Sequence, residues 1–239
     1  EAVENPAVTA INGKLYVFGG STAPFSGAVA NATVYDPAVN SWTQLADMPT
    51  ARGGVTAQAI NGLIYVIGGM NEQGASLNVV EVYNPATNSW QVAPPLTYVR
   101  DNPGSAVLDG KIYVFGGRNR QANGTTVQGA MVTVEMFNPA TNTWTEMTPM
   151  PTGRRAMSVG VIDGKAQVAG GELSQNSTSG VFEQNEEYDP ATNTWRPLTN
   201  MPSPKHGAAA TTINGTLYIM GGGITAGSSF TSSMESMQF

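Results

Sequence analysis

Residues 54–92 read GVTAQAINGLIYVIGGMNEQGASLNVVEVYNPATNSWQV, and this stretch decides the fold. Gly54–Ile60 is a run of small residues, strand A. Asn61-Gly62 then reads as a two-residue hairpin turn, because both turn positions need positive φ and this pair tolerates it. Leu63–Gly69 is β-branched and aromatic, strand B, and it ends on two glycines. Met70–Leu77 is a polar loop, and Val79–Tyr83 forms strand C. Asn84-Pro85-Ala86-Thr87-Asn88 is a turn started by proline, whose φ is preset, and Ser89–Val92 begins strand D. No helical period intervenes, so the stretch is four short antiparallel strands.

The same landmarks recur along the 239-residue chain. A glycine pair closes an apolar run at Gly19, Gly68, Gly116, Gly170 and Gly221, each time preceded by an Asn-Gly or Asp-Gly turn starting at Asn12, Asn61, Asp109, Asp163 or Asn214. An aromatic followed by Asp/Asn-Pro-Ala stands at Tyr35, Tyr83, Phe137 and Tyr188. Tryptophan follows it at Trp42, Trp90, Trp144 and Trp195, spaced 48, 54 and 51 residues apart. A period of this length is the signature of a repeat array. The repeats run over about 3–49, 50–97, 98–151, 152–202 and 203–239, read as one domain over 1–239.

Four antiparallel strands per repeat describe an all-β propeller of five blades. Small residues on strand A suit the crowded axis, large aromatics on C and D suit the widening space between blades, and the glycines ending B allow a neighbouring blade to approach closely. The fifth repeat offers A (Ala208–Ile213), B (Thr216–Gly222) and C (Met234–Phe239), but no outer strand. Two readings stand: a five-bladed ring whose last blade lacks its outer strand, and a fragment of a six-bladed ring. The first residue, Glu1, suggests a processed form or an excised piece. The open edge at Met234–Phe239 is expected to pair with another chain.

Gly-Gly, then Tyr-Asn-Pro or Tyr-Asp-Pro, then Trp, then Met-Pro and a basic residue, resembles the kelch repeat, best over Tyr65–Trp90 and Tyr188–Trp195. The resemblance covers nearly the whole chain and implies a β-propeller, usually of six or seven blades, whose loop face commonly recognises protein segments.

Composition narrows the chemistry. Cysteine is absent, which excludes disulfides, Cys-ligated metal sites and a Cys nucleophile; a single histidine excludes multi-His centres. No cofactor is expected. Net charge is −6 and no basic run exceeds Arg154-Arg155, which argues against nucleic acid. No apolar stretch approaches the roughly 18 residues of a membrane span. The chain is rich in Asn, Thr, Ser and Gly and has four lysines. This favours an extracellular or cell-surface setting, with the cytoplasm as the alternative. The Asn-x-Ser/Thr acceptors at Asn31, Asn123, Asn176 and Asn214 would matter only in a eukaryotic secretory pathway.

Strand alternation puts the B–C loops and the D–A links on one face. The B–C loops are the variable part: Ser21–Ala30, Met70–Asn78, Arg118–Ala130, Glu172–Val181 and Gly223–Ser232. Variable loops on a rigid scaffold carry specificity. The third is the longest and holds Arg118 and Arg120. The D–A links contribute three aligned slots. The first holds Val3, Arg52, Arg100, Arg154 and Lys205; the second Glu4, Gly53, Asp101, Arg155 and His206; the third Asn5, Gly54, Asn102, Ala156 and Gly207. The recurring basic residue of the first slot reads as scaffold, a guanidinium bonding carbonyls at a blade junction. It also reads as part of a ligand pocket, since Arg52, Arg100, Arg154 and Arg155 would offer bidentate donors to an acidic peptide or anionic sugar. The second slot, varied in charge, could converge near a channel mouth.

The expected function is a non-catalytic binding module that takes a protein segment or an anionic or carbohydrate ligand. Two alternatives stay open. Galactose oxidase has a kelch-like propeller, but its copper site needs two histidines and a Cys-linked tyrosine, which this chain lacks. The bacterial sialic-acid mutarotase is a kelch propeller with acid/base groups near its channel, and Glu4 or Asp101 with Arg155 or His206 could resemble such a site. The other alternative is an architectural propeller within a larger secreted or surface protein. Repeat four departs from the pattern at Gln167, where the strands B of the other four repeats carry Tyr16, Tyr65, Tyr113 and Tyr218; this is either drift or the opening of a polar pocket.

Overall fold

Asn61 and Gly62 hold φ of 51° and 80°, and the matching Asn-Gly and Asp-Gly pairs of all five repeats share this left-handed geometry. Each closes a hairpin whose strands pair in register up to the turn, as Ile60 opposite Leu63. The computed structural model describes residues 2–173, 180–227 and 229–238. Phe239, expected in the aromatic slot of the last strand, and the acceptor Asn176 lie outside them.

The chain divides into two units, Glu1–Asn102 with Asn119–Val127 and Pro139–Trp144, and Pro103–Arg118 with Gln128–Asn138 and Thr145–Phe239. The strands follow one another as β1 (Ala7–Ile11), β2 (Lys14–Phe18), β3 (Ser21–Ala23), β4 (Ser26–Ala28), β5 (Ala32–Asp36) and β6 (Ser41–Gln44). Then come β7 (Thr56–Ile60), β8 (Leu63–Ile67), β9 (Val80–Asn84) and β10 (Ser89–Val92). The third repeat gives β11 (Gly104–Leu108), β12 (Lys111–Phe115), β13 (Asn119–Arg120), β14 (Thr126–Gln128), β15 (Val134–Asn138) and β16 (Thr143–Met147). The fourth gives β17 (Ser158–Ile162), β18 (Lys165–Ala169), β19 (Asn185–Asp189) and β20 (Thr194–Pro197), and the fifth β21 (Ala209–Ile213), β22 (Thr216–Met220) and β23 (Met234–Gln238). The blade sheets are β1-β2-β5-β6, β7-β8-β9-β10, β11-β12-β15-β16, β17-β18-β19-β20 and the three-stranded β21-β22-β23. This is the five-blade, all-β propeller fold, with the fifth blade lacking an outer strand among the described residues. Two small ribbons, β3-β4 and β13-β14, rise from the first and third B–C loops. Among the described residues no helix is long and apolar enough to cross a membrane.

The cores lie between adjacent blades. In the first unit Phe18 of β2 meets Tyr83 and Trp90 of the next blade at ring-centroid distances of 5.8 and 5.5 Å. In the second unit Phe115 meets Tyr188 and Trp195 at 5.9 and 5.8 Å. The repeated aromatic–Asn–Trp pattern has a local cause. Tyr83 Oη donates to Asn88 Oδ1 at 2.8 Å, and that oxygen also accepts from the backbone of Ala46 in the preceding blade. Trp90 Nε1 returns a bond to Ala46 O at 2.8 Å. Tyr188, Asn193, Thr148 and Trp195 repeat the arrangement. The glycines ending strand B act as expected: a Cβ on Gly116 would stand 2.3 Å from Arg154 O, and the neighbouring Gly117 N donates to that same carbonyl at 3.0 Å.

Candidate functional site

The D–A slots fall into place one by one. Arg52, Arg100 and Arg154 are all 0% exposed. Arg52 Nη1 donates to Gly68 O and Val79 O at 2.8 and 3.1 Å, and Nη2 to Glu81 Oε2 at 2.8 Å. Thr50 Oγ1 donates to the other Glu81 oxygen. Arg154 repeats this with Gly170 O, Gln184 O and Glu186, capped by Thr152. Lys205 Nζ reaches Ser233 O at 3.1 Å and lies 3.6 Å from Glu235, which takes Ser203 as its hydroxyl donor. Burial pushes the Arg52 and Arg154 guanidinium pKa values down, and their glutamates oppose the shift. Arg52 and Arg154 are therefore turned into their own sheets and do not form the expected basic pocket; Arg100 is equally buried. The counter-charge was missed in the sequence. Glu81, Glu135, Glu186 and Glu235 each stand second in strand C of their blade, an alignment that could have revealed it.

The third slot has a conformational explanation. Asn5, Gly54, Asn102, Ala156 and Gly207 all take φ between 50° and 61°, a region that Asn and Gly favour. Gly54 N donates to Asn5 O, Asn102 N to Gly54 O, and, in the second unit, Gly207 N to Ala156 O. Asn5 and Asn102, expected as ligand contacts, hold this backbone link.

The second slot pairs with the first residue of the B–C loop, as Glu4 with Ser21, Arg155 with Glu172 and His206 with Gly223. Glu4 is exposed. Asp101 is buried and accepts from Ser76 Oγ at 2.5 Å and Asn102 Nδ2 at 2.7 Å. In the second unit Glu172, which sequence reasoning did not single out, joins two predicted residues. Its Oε1 lies 2.6 Å from Arg155 Nη2 and 3.6 Å from His206 Nδ1, and its Oε2 accepts from Gly227 N at 2.9 Å. His206 Nε2 lies 3.0 Å from Thr225 O. The cluster thus pins the fifth B–C loop. Arg118 is buried. Gln167 does not open a pocket: it donates to Glu187, which also takes Arg196 and Lys165. The Arg196 guanidinium holds the Glu187 carboxyl below the usual range. Among the described residues no group of three or more His, Asp or Glu side chains is arranged to hold a metal ion.

The loops themselves are joined. Arg120, at the start of the β13-β14 ribbon, exchanges two bonds with Ser76 of the second B–C loop: Ser76 N to Arg120 O at 2.8 Å and Arg120 N to Ser76 Oγ at 2.9 Å. Its Nη1 donates to Gly74 O at 3.2 Å, and its guanidinium lies 4.8 Å over the ring of Phe25, at the tip between β3 and β4. Gly74 has φ 74°, and a Cβ there would meet Arg120 Nη1 and Phe25 O at 2.5 and 2.6 Å. Three B–C loops of successive repeats form one platform.

Residues 5–224 match the KLHDC2/KLHL20/DRC7 Kelch-repeats domain. The chain is 32% identical to the Kelch-like protein terF of Aspergillus terreus, over 99% of the chain and 53% of that protein. Kelch-like protein 35 of Mus musculus is 26% identical over 90% of the chain and 26% of its own length. Alpha-scruin of Limulus polyphemus is 27% identical over 82% of the chain and 21% of its own length. The solved structure of YjhT aligns with a TM-score of 0.75 at 23% identity, over 93% of this chain and 73% of that one, a likeness of fold alone. The chain spans about half the length, or less, of these curated relatives.

Proposed function

The chain belongs to the kelch-repeat family, and from that premise we propose that it is a non-catalytic interaction module which holds a protein segment on its B–C loop face. Kelch-repeat propellers are, in general, protein-interaction modules. The observation that carries the reading is the platform: Phe25, Gly74 and Arg120 come from three loops of unlike sequence, yet are fixed against one another. A surface ordered before binding loses less conformational entropy when a partner docks. The Arg155–Glu172–His206 cluster supports the same reading, because it anchors a further B–C loop and both Glu172 oxygens are already engaged.

Selection of random displayed peptides on the purified chain tests this. Peptides that enrich should lose binding to Gly74→Val, whose side chain would drive the loops apart, and keep it to Thr87→Ala on the opposite turn. Equal binding to Gly74→Val and the native chain sinks the reading.

A further inference from the structure

This inference rests on the loop-face reading and names the chemistry of its partner. Among the described residues Arg52, Arg154, Arg155 and Arg196 each meet a carboxylate. Arg120 meets none. It is nevertheless held: its backbone is bonded on both sides to Ser76, one N–H is on Gly74 O, and its guanidinium carbon lies over the Phe25 ring. The side chain is half-buried, so it is ordered yet reachable.

A guanidinium presents five N–H donors in a planar fork. A contact with a ring engages no N–H, so the donors beyond the one on Gly74 O can meet a carboxylate, which arginine binds through paired charge-assisted bonds. Apolar surface adjoins it. Phe25, beneath the guanidinium, is 36% exposed. The β13-β14 ribbon is only two strands wide, a width at which extended backbone can add along an edge. Carboxylate, apolar side chain and extended backbone occur together in a peptide. We propose that Arg120, with Phe25 beside it, is the anchor for a protein segment carrying an Asp or Glu next to an apolar residue.

Peptides enriched from the random display are measured against Arg120→Gln, Arg120→Lys and Gly74→Val. The enriched set should share an acidic residue beside an apolar one. Arg120→Gln should weaken binding about tenfold or more. Arg120→Lys should restore part of that, since lysine keeps the charge but not the stacked fork. Added salt should weaken the native chain and leave Arg120→Gln nearly unmoved. Thermal unfolding of Arg120→Gln and Arg120→Lys, followed by circular dichroism, should coincide with the native chain. Peptides that lose binding to Gly74→Val, lack an acidic residue and bind Arg120→Gln as well as the native chain overturn this inference and leave the loop-face reading standing. Peptides indifferent to both variants, or no enrichment at all, overturn both. Free sialic acid binding through Arg120 where no acidic peptide does would overturn the peptide assignment.

Discussion

In the first blade the buried ion pair is absent as a unit. Val3 stands in the slot of Arg52, and Thr33, second in β5, stands where Glu81 is second in β9. The chain therefore contains its own double substitution, as expected when one buried charge is tolerated only beside the other. Glu81→Gln should lower the unfolding free energy, measured by urea titration, by about 3–5 kcal/mol, because it leaves Arg52 buried and uncompensated. Arg52→Val with Glu81→Thr, copying the first blade, should be more stable than Glu81→Gln alone. Recovery will be incomplete, since the carbonyls of Gly68 and Val79 also lose a donor. Losses that simply add would show that the two residues act separately. The recurring basic residue was legible in the sequence, and so was its scaffold reading. Its glutamate was not, because a lone Glu on a strand reads as solvent-facing until the blades are superposed.

At the level of the strand and turn, glycines with the same φ have different duties. Gly110 and Gly116 both sit in the left-handed region, at 67° and 55°. A Cβ on Gly110 meets nothing within 4 Å, whereas one on Gly116 would strike Arg154 O at 2.3 Å and the Met157 side chain at 2.8 Å. Gly110→Ala should cost about 1–2 kcal/mol, the penalty of the left-handed backbone alone. Gly116→Ala should cost at least about 2 kcal/mol more, because a backbone carbonyl in the next blade must move. Equal losses by thermal or urea unfolding would refute the close-approach role. Strands A to D, the Asn-Gly and Asp-Gly turns and the glycine pairs were all readable, since each rests on local conformational preference repeated in four or five repeats. The ribbons β3-β4 and β13-β14 were not. They are two or three residues per strand, polar, and without the alternation that marks a half-buried sheet.

Across the molecule, the repeat made the fold legible and concealed the site. A shared period identifies what the blades have in common, whereas Phe25, Gly74 and Arg120 lie in loops that have nothing in common. Burial departs from the repeat at the first and fifth sheets as well. Leu15 is 42% exposed, while its equivalent Ile64 is 0%. In the second unit Ile213 and Met220 are 53% and 39% exposed, against 6% and 0% for Ile162 and Ala169 at the same positions of the fourth sheet. One face of β1-β2, with Val8 and Leu15, and one face of β21-β22-β23, with Ile213, Met220 and Met234, are thus apolar and open to solvent. Apolar patches of this kind drive association. Sedimentation velocity should show the chain gaining mass as its concentration rises. Ile213→Lys with Met220→Lys should weaken that association about tenfold or more, since each loses the burial of one large apolar side chain. The same variant should melt within a few degrees of the native chain, because these side chains support little of the folded core. A native chain that stays monomeric throughout the concentration range would show that neither face is adhesive, and that their exposure alone does not drive assembly.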